Sequence, residues 1–169
     1  MLYDSGDFKL AEARDLSWEE QKEIAQDYFD NWFPDGCGFL IYTGHASERD
    51  DFKYGAFFLH QATESFYNAI LLVFSGYKEK DHDIETLGSL ASNYSDELLK
   101  IFPRDTEELN ERFKLLKEAY IRARYDKKYK ITEEELLYLT KRVEKLKDVT
   151  EKICLAWINQ GIKTSPGLI

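Results

Sequence analysis

The stretch Asp51–Phe74, "DFKYGAFFLHQATESFYNAILLVF", decides the fold. At 3.6 residues per turn, Phe58, Ala62, Phe66, Ala69 and Val73 fall on one face, and Tyr67, Leu71 and Phe74 make a second apolar face. A helix that is apolar on most sides must be covered on most sides, so it belongs at the centre of a bundle. Its most apolar run, "AILLVF" at 69–74, is far shorter than the roughly 20 residues that span a bilayer.

The flanking segments supply helices to cover it. Ser17 and Glu20 of "SWEE" form a capping box, followed by the stripe Ala25, Tyr28, Phe29 and Trp32. Pro34 and the "DGCG" at 35–38 predict a kink or break, with "FLIYTGHASE" at 39–48 resuming the helix. After a loop at 75–82, Ile84, Leu87 and Ala91 are in phase for a short helix, and Ser95 caps another short piece that ends at Pro103. Asp105 with Glu108 signals the next helix start, behind which Leu109, Phe113, Leu116, Tyr120 and Ala123 recur at spacings of four and three. Thr132 and Glu135 make a second full capping box. The last helix carries Leu139, Val143, Leu146, Thr150, Ile153 and Trp157 in a near-heptad pattern, with Gly161 and Pro166 as stop signals. The expected fold is all-α: an antiparallel bundle of about five helices over 17–161, with an extended arm or linker at 1–16 and a tail at 162–169.

The bulk composition agrees. The 169 residues suffice for one domain with a real core, and 43% hydrophobic with 15% aromatic residues excludes a disordered chain. Only 9 Gly and 3 Pro disfavour an all-β fold of many tight turns. A net charge of -9 repels nucleic acid and anionic membranes at long range, so no DNA and no membrane partner is expected, and any phosphate ligand has to meet a local basic patch. Cys37 and Cys154 stand alone and suggest neither a disulfide framework nor a zinc motif; with no signal peptide at the start, the expected compartment is the cytoplasm.

Against that acidic background, "RARYDKKYKI" at 122–131 places five cations (Arg122, Arg124, Lys127, Lys128 and Lys130) in nine positions. Cations at a helix end meet exposed carbonyls, which accounts for part of this clustering. Other chemistry is weakly signalled. His60 and Glu64 share a helix face at a two-ligand spacing, but a third ligand would have to come from His45 or His82, which the sequence does not place nearby; a packed helix seam is the better account, and neither metal nor cofactor is expected. "DHD" at 81–83 and the pair Gly88-Ser89 have the wrong order and a helical context for a nucleotidyltransferase site, so Asp81 or Asp83 reads as a helix N-cap. No G-x-S-x-G occurs, and neither cysteine has a histidine close in sequence.

The order of three motifs, "HQATE" in the central helix, "GYKEKDHDIETL" at the next helix start and "ARYDKKYKI" before the last helix, resembles the HEPN family over roughly 17–160. The resemblance implies an antiparallel helical bundle, commonly dimeric. Many members are metal-independent RNases with an Arg followed four to six residues later by a His. The Arg would map to Arg124, but Tyr129 stands where the His belongs, and a phenol is a poor general base near neutral pH. A branch with "ARY" often follows a small nucleotidyltransferase domain, and "LYDSG…LAEARDLS" resembles the segment joining the two. The resemblance thus implies a non-catalytic domain that binds a nucleotide or other phosphate ligand, or that assists an adjacent nucleotidyltransferase. Arg124 would clasp the phosphate; Lys127, Lys128, Arg122 and Tyr129 would lie around it, with His82 and Asp83 at a neighbouring helix start. An RNase toxin with a replaced base is the alternative, with His60 or His82 as the substitute, and a structural dimerisation module is the second alternative. Arg122 and Arg124, two residues apart, are separated by roughly 200° on a continuing helix and cannot both face one ligand unless the helix ends between them or a dimer partner supplies the second.

Overall fold

The computed structural model describes residues 14–160. They form five α-helices, with no strand among the described residues: α1 (Trp18–Glu48), α2 (Phe52–Ser75), α3 (Ile84–Ala91), α4 (Glu107–Tyr125) and α5 (Glu133–Asn159), with a 3-10 turn at Asp96–Lys100. The expected all-α bundle is what the chain forms. Most of the expected arm and all of the tail lie outside the described residues, and Arg14–Leu16 are non-helical.

α2 is the central element. From Ala62 to Val73 every residue is buried, because α1, α3, α4 and α5 all pack against it. Over that span both apolar faces are therefore covered within one chain, while Phe58 and Phe74 toward the helix ends are half-buried. The helix ends at Gly76, whose φ of 69° is the left-handed conformation glycine adopts without strain.

Both capping boxes form: Ser17 Oγ accepts from Glu20 N while Glu20 accepts from Ser17 N, and Thr132 and Glu135 repeat the exchange at α5. Asp83 and Ser95 also cap, each accepting from the amide two residues on. Three local expectations need correction. α1 runs through Pro34 unbroken. Proline removes one helical amide donor, but the turns on either side are pinned to α2: Phe33 meets the Phe66 ring at 5.6 Å, and Gly36 lets that ring in so closely that a Cβ there would sit 2.5 Å from it. The cap of α4 is Thr106 rather than Asp105; its hydroxyl accepts from Leu109 N. On α5 the buried row leaves the near-heptad line, passing from Thr150 to Cys154 and Ile158 while Ile153 and Trp157 are half-buried. A straight helix drifts relative to a 3.5-residue repeat, which moves the core face by one position over this length.

Candidate functional site

The basic stretch splits, as its helical spacing requires. Arg122 is occupied by its own helix: Nε lies 2.8 Å from Asp126 Oδ2, the guanidinium also pairs with Glu118, and it covers the Tyr129 ring at 5.7 Å. Arg124, exposed at the penultimate position of α4, points to a different surface. Its Nε donates to the Tyr120 carbonyl at 2.9 Å, and its guanidinium sits 4.7 Å from the centre of the Phe57 ring and 5.0 Å from those of Tyr120 and Tyr125. Among the described residues no carboxylate pairs with it. Lys127 and Lys128 are exposed in the turn that follows, where Asp126 Oδ1 accepts from Lys128 N.

Tyr129 is placed in the core. It is 1% exposed, its hydroxyl donates to the Leu115 carbonyl at 2.7 Å, and burial pushes its ionisation well above the usual phenol range. In this conformation it is a packing residue.

Tyr120 gathers a second set of groups. The His82 imidazole stacks on its ring at 5.0 Å and 11°, and His60 lies 5.4 Å away on the inner side. His82 Nδ1 is 2.7 Å from Glu64 Oε1, so the loop before α3 is tied to the middle of α2. A carboxylate oxygen accepts, so the contact is made when His82 Nδ1 carries a hydrogen, and Nε2 is then the ring nitrogen not engaged by Glu64. The His82 side chain is 52% exposed, whereas that of Glu64 is 10% exposed. Asp83 is engaged elsewhere: it caps α3 and lies 3.6 Å from Lys117.

His60 is wholly buried, with neither ring nitrogen hydrogen-bonded; Asn68 and Glu64 Oε2 are also without partners. Burial lowers His60 to about 4, so it stays neutral near pH 7. Its Nδ1 is 4.0 Å from Glu64 Oε2, too far for a hydrogen bond. Among the described residues no group of three or more acidic, histidine or cysteine side chains is arranged to hold a metal ion.

The structure therefore brings Arg124 and His82 to one aromatic ring and leaves Arg122, Tyr129 and Asp83 in structural contacts. Sequence reasoning gave Tyr120 and Phe57 no role in a site. The available signal was Tyr120–Arg124 at the i,i+4 spacing of helix neighbours. Glu64 was visible as a polar residue on an apolar helix, but its partner lies eighteen positions away across a loop.

No curated protein sequence matches the chain significantly. The family model described as HEPN domain matches residues 29–153, which runs from the first half of α1 to within two turns of the end of α5. That span takes in the whole of α2, α3 and α4, and with them every residue of the Tyr120 group. On this match and on its helical architecture, the chain belongs to the HEPN domain family.

Proposed function

We propose that this HEPN domain binds the phosphate of a nucleotide or RNA at Arg124, alone or in support of a nucleotidyltransferase domain. One observation carries the reading: the Arg124 guanidinium is exposed, held by three aromatic rings and unneutralised, in a chain where Arg122 next to it is consumed by two carboxylates. A pre-oriented guanidinium fork fits phosphate oxygens without the entropy cost of ordering a free side chain. Tyr125, 74% exposed, offers a face on which a base can stack. Lys127 and Lys128 add local positive charge in the following turn. Calorimetric titration with ATP tests this: saturable binding that Arg124→Ala removes supports it, and no binding by the unmodified protein contradicts it.

A second reading is favoured by the Glu64–His82 contact. A histidine oriented by a buried carboxylate, next to an unpaired arginine, is the equipment for moving a proton from a ribose 2′-hydroxyl while stabilising the phosphate charge. His82 would then take the place that Tyr129 cannot fill. Cleavage of single-stranded RNA in the presence of EDTA, abolished by His82→Asn and by Arg124→Ala, would establish this activity; intact RNA would leave binding as the better account.

Pairing of two copies is part of the same proposal. Its support is the exposed pair Tyr42 and Tyr54 beside the half-buried Phe58, whose ring meets Tyr42 at 5.6 Å. Light scattering at micromolar concentration would give twice the chain mass.

A further inference from the structure

Two tyrosines are almost completely buried, Tyr129 at 1% and Tyr67 at 3% exposure. A buried tyrosine hydroxyl usually finds a partner. That of Tyr129 does, at the Leu115 carbonyl. That of Tyr67 has none among the described residues; its side chain lines a cleft of about 250 Å³ between α3, the 3-10 turn and the start of α4. At the ~30 Å³ a water molecule occupies, this space holds roughly eight waters, well beyond an ordinary packing defect.

The sequence of α3 opens the cleft. Gly88 and Ser89 on α3 and Ser92 just after it line the cleft with little bulk, and a Cβ at Gly88 would already lie 3.0 Å from the Tyr67 hydroxyl oxygen. The opposite wall is aromatic: Phe102 and Phe113 pack at 5.2 Å, and the Arg104 guanidinium sits 4.7 Å over the Phe113 ring while bonding Glu85 at 2.5 Å. The lining thus joins polar groups, the Phe102 and Phe113 rings, aliphatic Ile84 and Leu98, and the Tyr67 hydroxyl.

We infer that this cleft binds a small aromatic molecule bearing a hydroxyl or similar hydrogen-bonding group on one edge. The ring packs against Phe102 and Phe113, and the polar edge meets the Tyr67 hydroxyl. A purely apolar ligand displaces water from that hydroxyl and leaves it unpaired; a purely polar one leaves the aromatic rings without a match. The site is separate from the Arg124 surface and does not depend on how that surface is used.

The experiment uses the full chain with 4-methylphenol and toluene, which differ only by the hydroxyl, in ligand-observed NMR titrations. Unmodified protein should bind 4-methylphenol more tightly than toluene by about fivefold or more, the worth of one hydrogen bond in a shielded site. Tyr67→Phe should bring the two ligands to equal affinity. Ser89→Leu, at an exposed helical position where leucine is a good helix former, should fill the space and exclude both. Absence of saturable 4-methylphenol binding, equal affinity for the two ligands in the unmodified protein, or binding that survives Ser89→Leu would overturn the assignment.

Discussion

Glu64 Oε1 lies 2.7 Å from His82 Nδ1, and this contact ties the loop before α3 to the middle of α2. The carboxylate comes from the middle of the most buried helix, and the imidazole from the loop that follows it. His82 satisfies one Glu64 oxygen; the other has no partner. Removing the imidazole therefore leaves a nearly buried carboxylate without any partner. His82→Ala should lower unfolding free energy by about 1–3 kcal/mol, while Glu64→Gln, which keeps an acceptor oxygen and sheds the charge, should cost less. Urea denaturation of the two variants measures the order, and a larger loss in Glu64→Gln would contradict it.

His60 makes stability depend on pH. Its folded value is lowered from 6.5 to about 4 by burial. Between those values the unfolded chain binds the proton and the folded one does not, so stability falls as pH drops from about 6.5 toward 4. The contribution is on the order of 3 kcal/mol at most, because each tenfold difference in proton affinity between the folded and unfolded chain is worth ~1.4 kcal/mol. His60→Phe should flatten the dependence of the urea midpoint in that window; an unchanged slope would show that His60 is not the group responsible.

Much of this fold is legible in the sequence because its helix signals are local. A serine or threonine three residues before a glutamate states both halves of a capping box, and α1 and α5 begin where those boxes say. Pro34 misleads because the energy that keeps α1 continuous is not local: it comes from Phe66 seated against Gly36, thirty positions away in the chain. The site divides in the same way. The opposed directions of Arg122 and Arg124 follow from helical geometry alone. That Tyr129 is core, and that His82 meets Glu64, depends on how α4 and the loop before α3 fold back onto α2, which no spacing in the sequence encodes.

Gly36 should not accept even a methyl group. Alanine gains about 1 kcal/mol in helix propensity over glycine, but its Cβ would lie 2.5 Å from Phe66, a ring that is fully buried and has no free space to retreat into. Overpacking of this kind costs typically about 1–3 kcal/mol or more. Thermal unfolding of Gly36→Ala should therefore show a lower Tm than the unmodified protein; a higher one would mean that α1 and α2 are less closely seated.

Tyr129 separates a folding role from a ligand role. Tyr129→Phe removes the hydrogen bond to the Leu115 carbonyl and nothing else, at an expected cost of about 1–2 kcal/mol in urea unfolding. ATP affinity, where measurable, should be unchanged. A loss of affinity with unchanged stability would place Tyr129 in the ligand site.

The most direct test of the central claim compares two arginines two positions apart. Arg124 is unpaired and mounted on aromatic rings; Arg122 is neutralised by Glu118 and Asp126. In calorimetric titrations with ATP, Arg124→Ala should weaken binding by more than about tenfold, the worth of a charge-assisted hydrogen bond to phosphate. Arg122→Ala, which breaks only partly exposed ion pairs, should change affinity by less than about threefold and stability by about 1 kcal/mol or less. Equal loss from the two substitutions, or undiminished binding in Arg124→Ala, would contradict the assignment of Arg124 as the phosphate ligand.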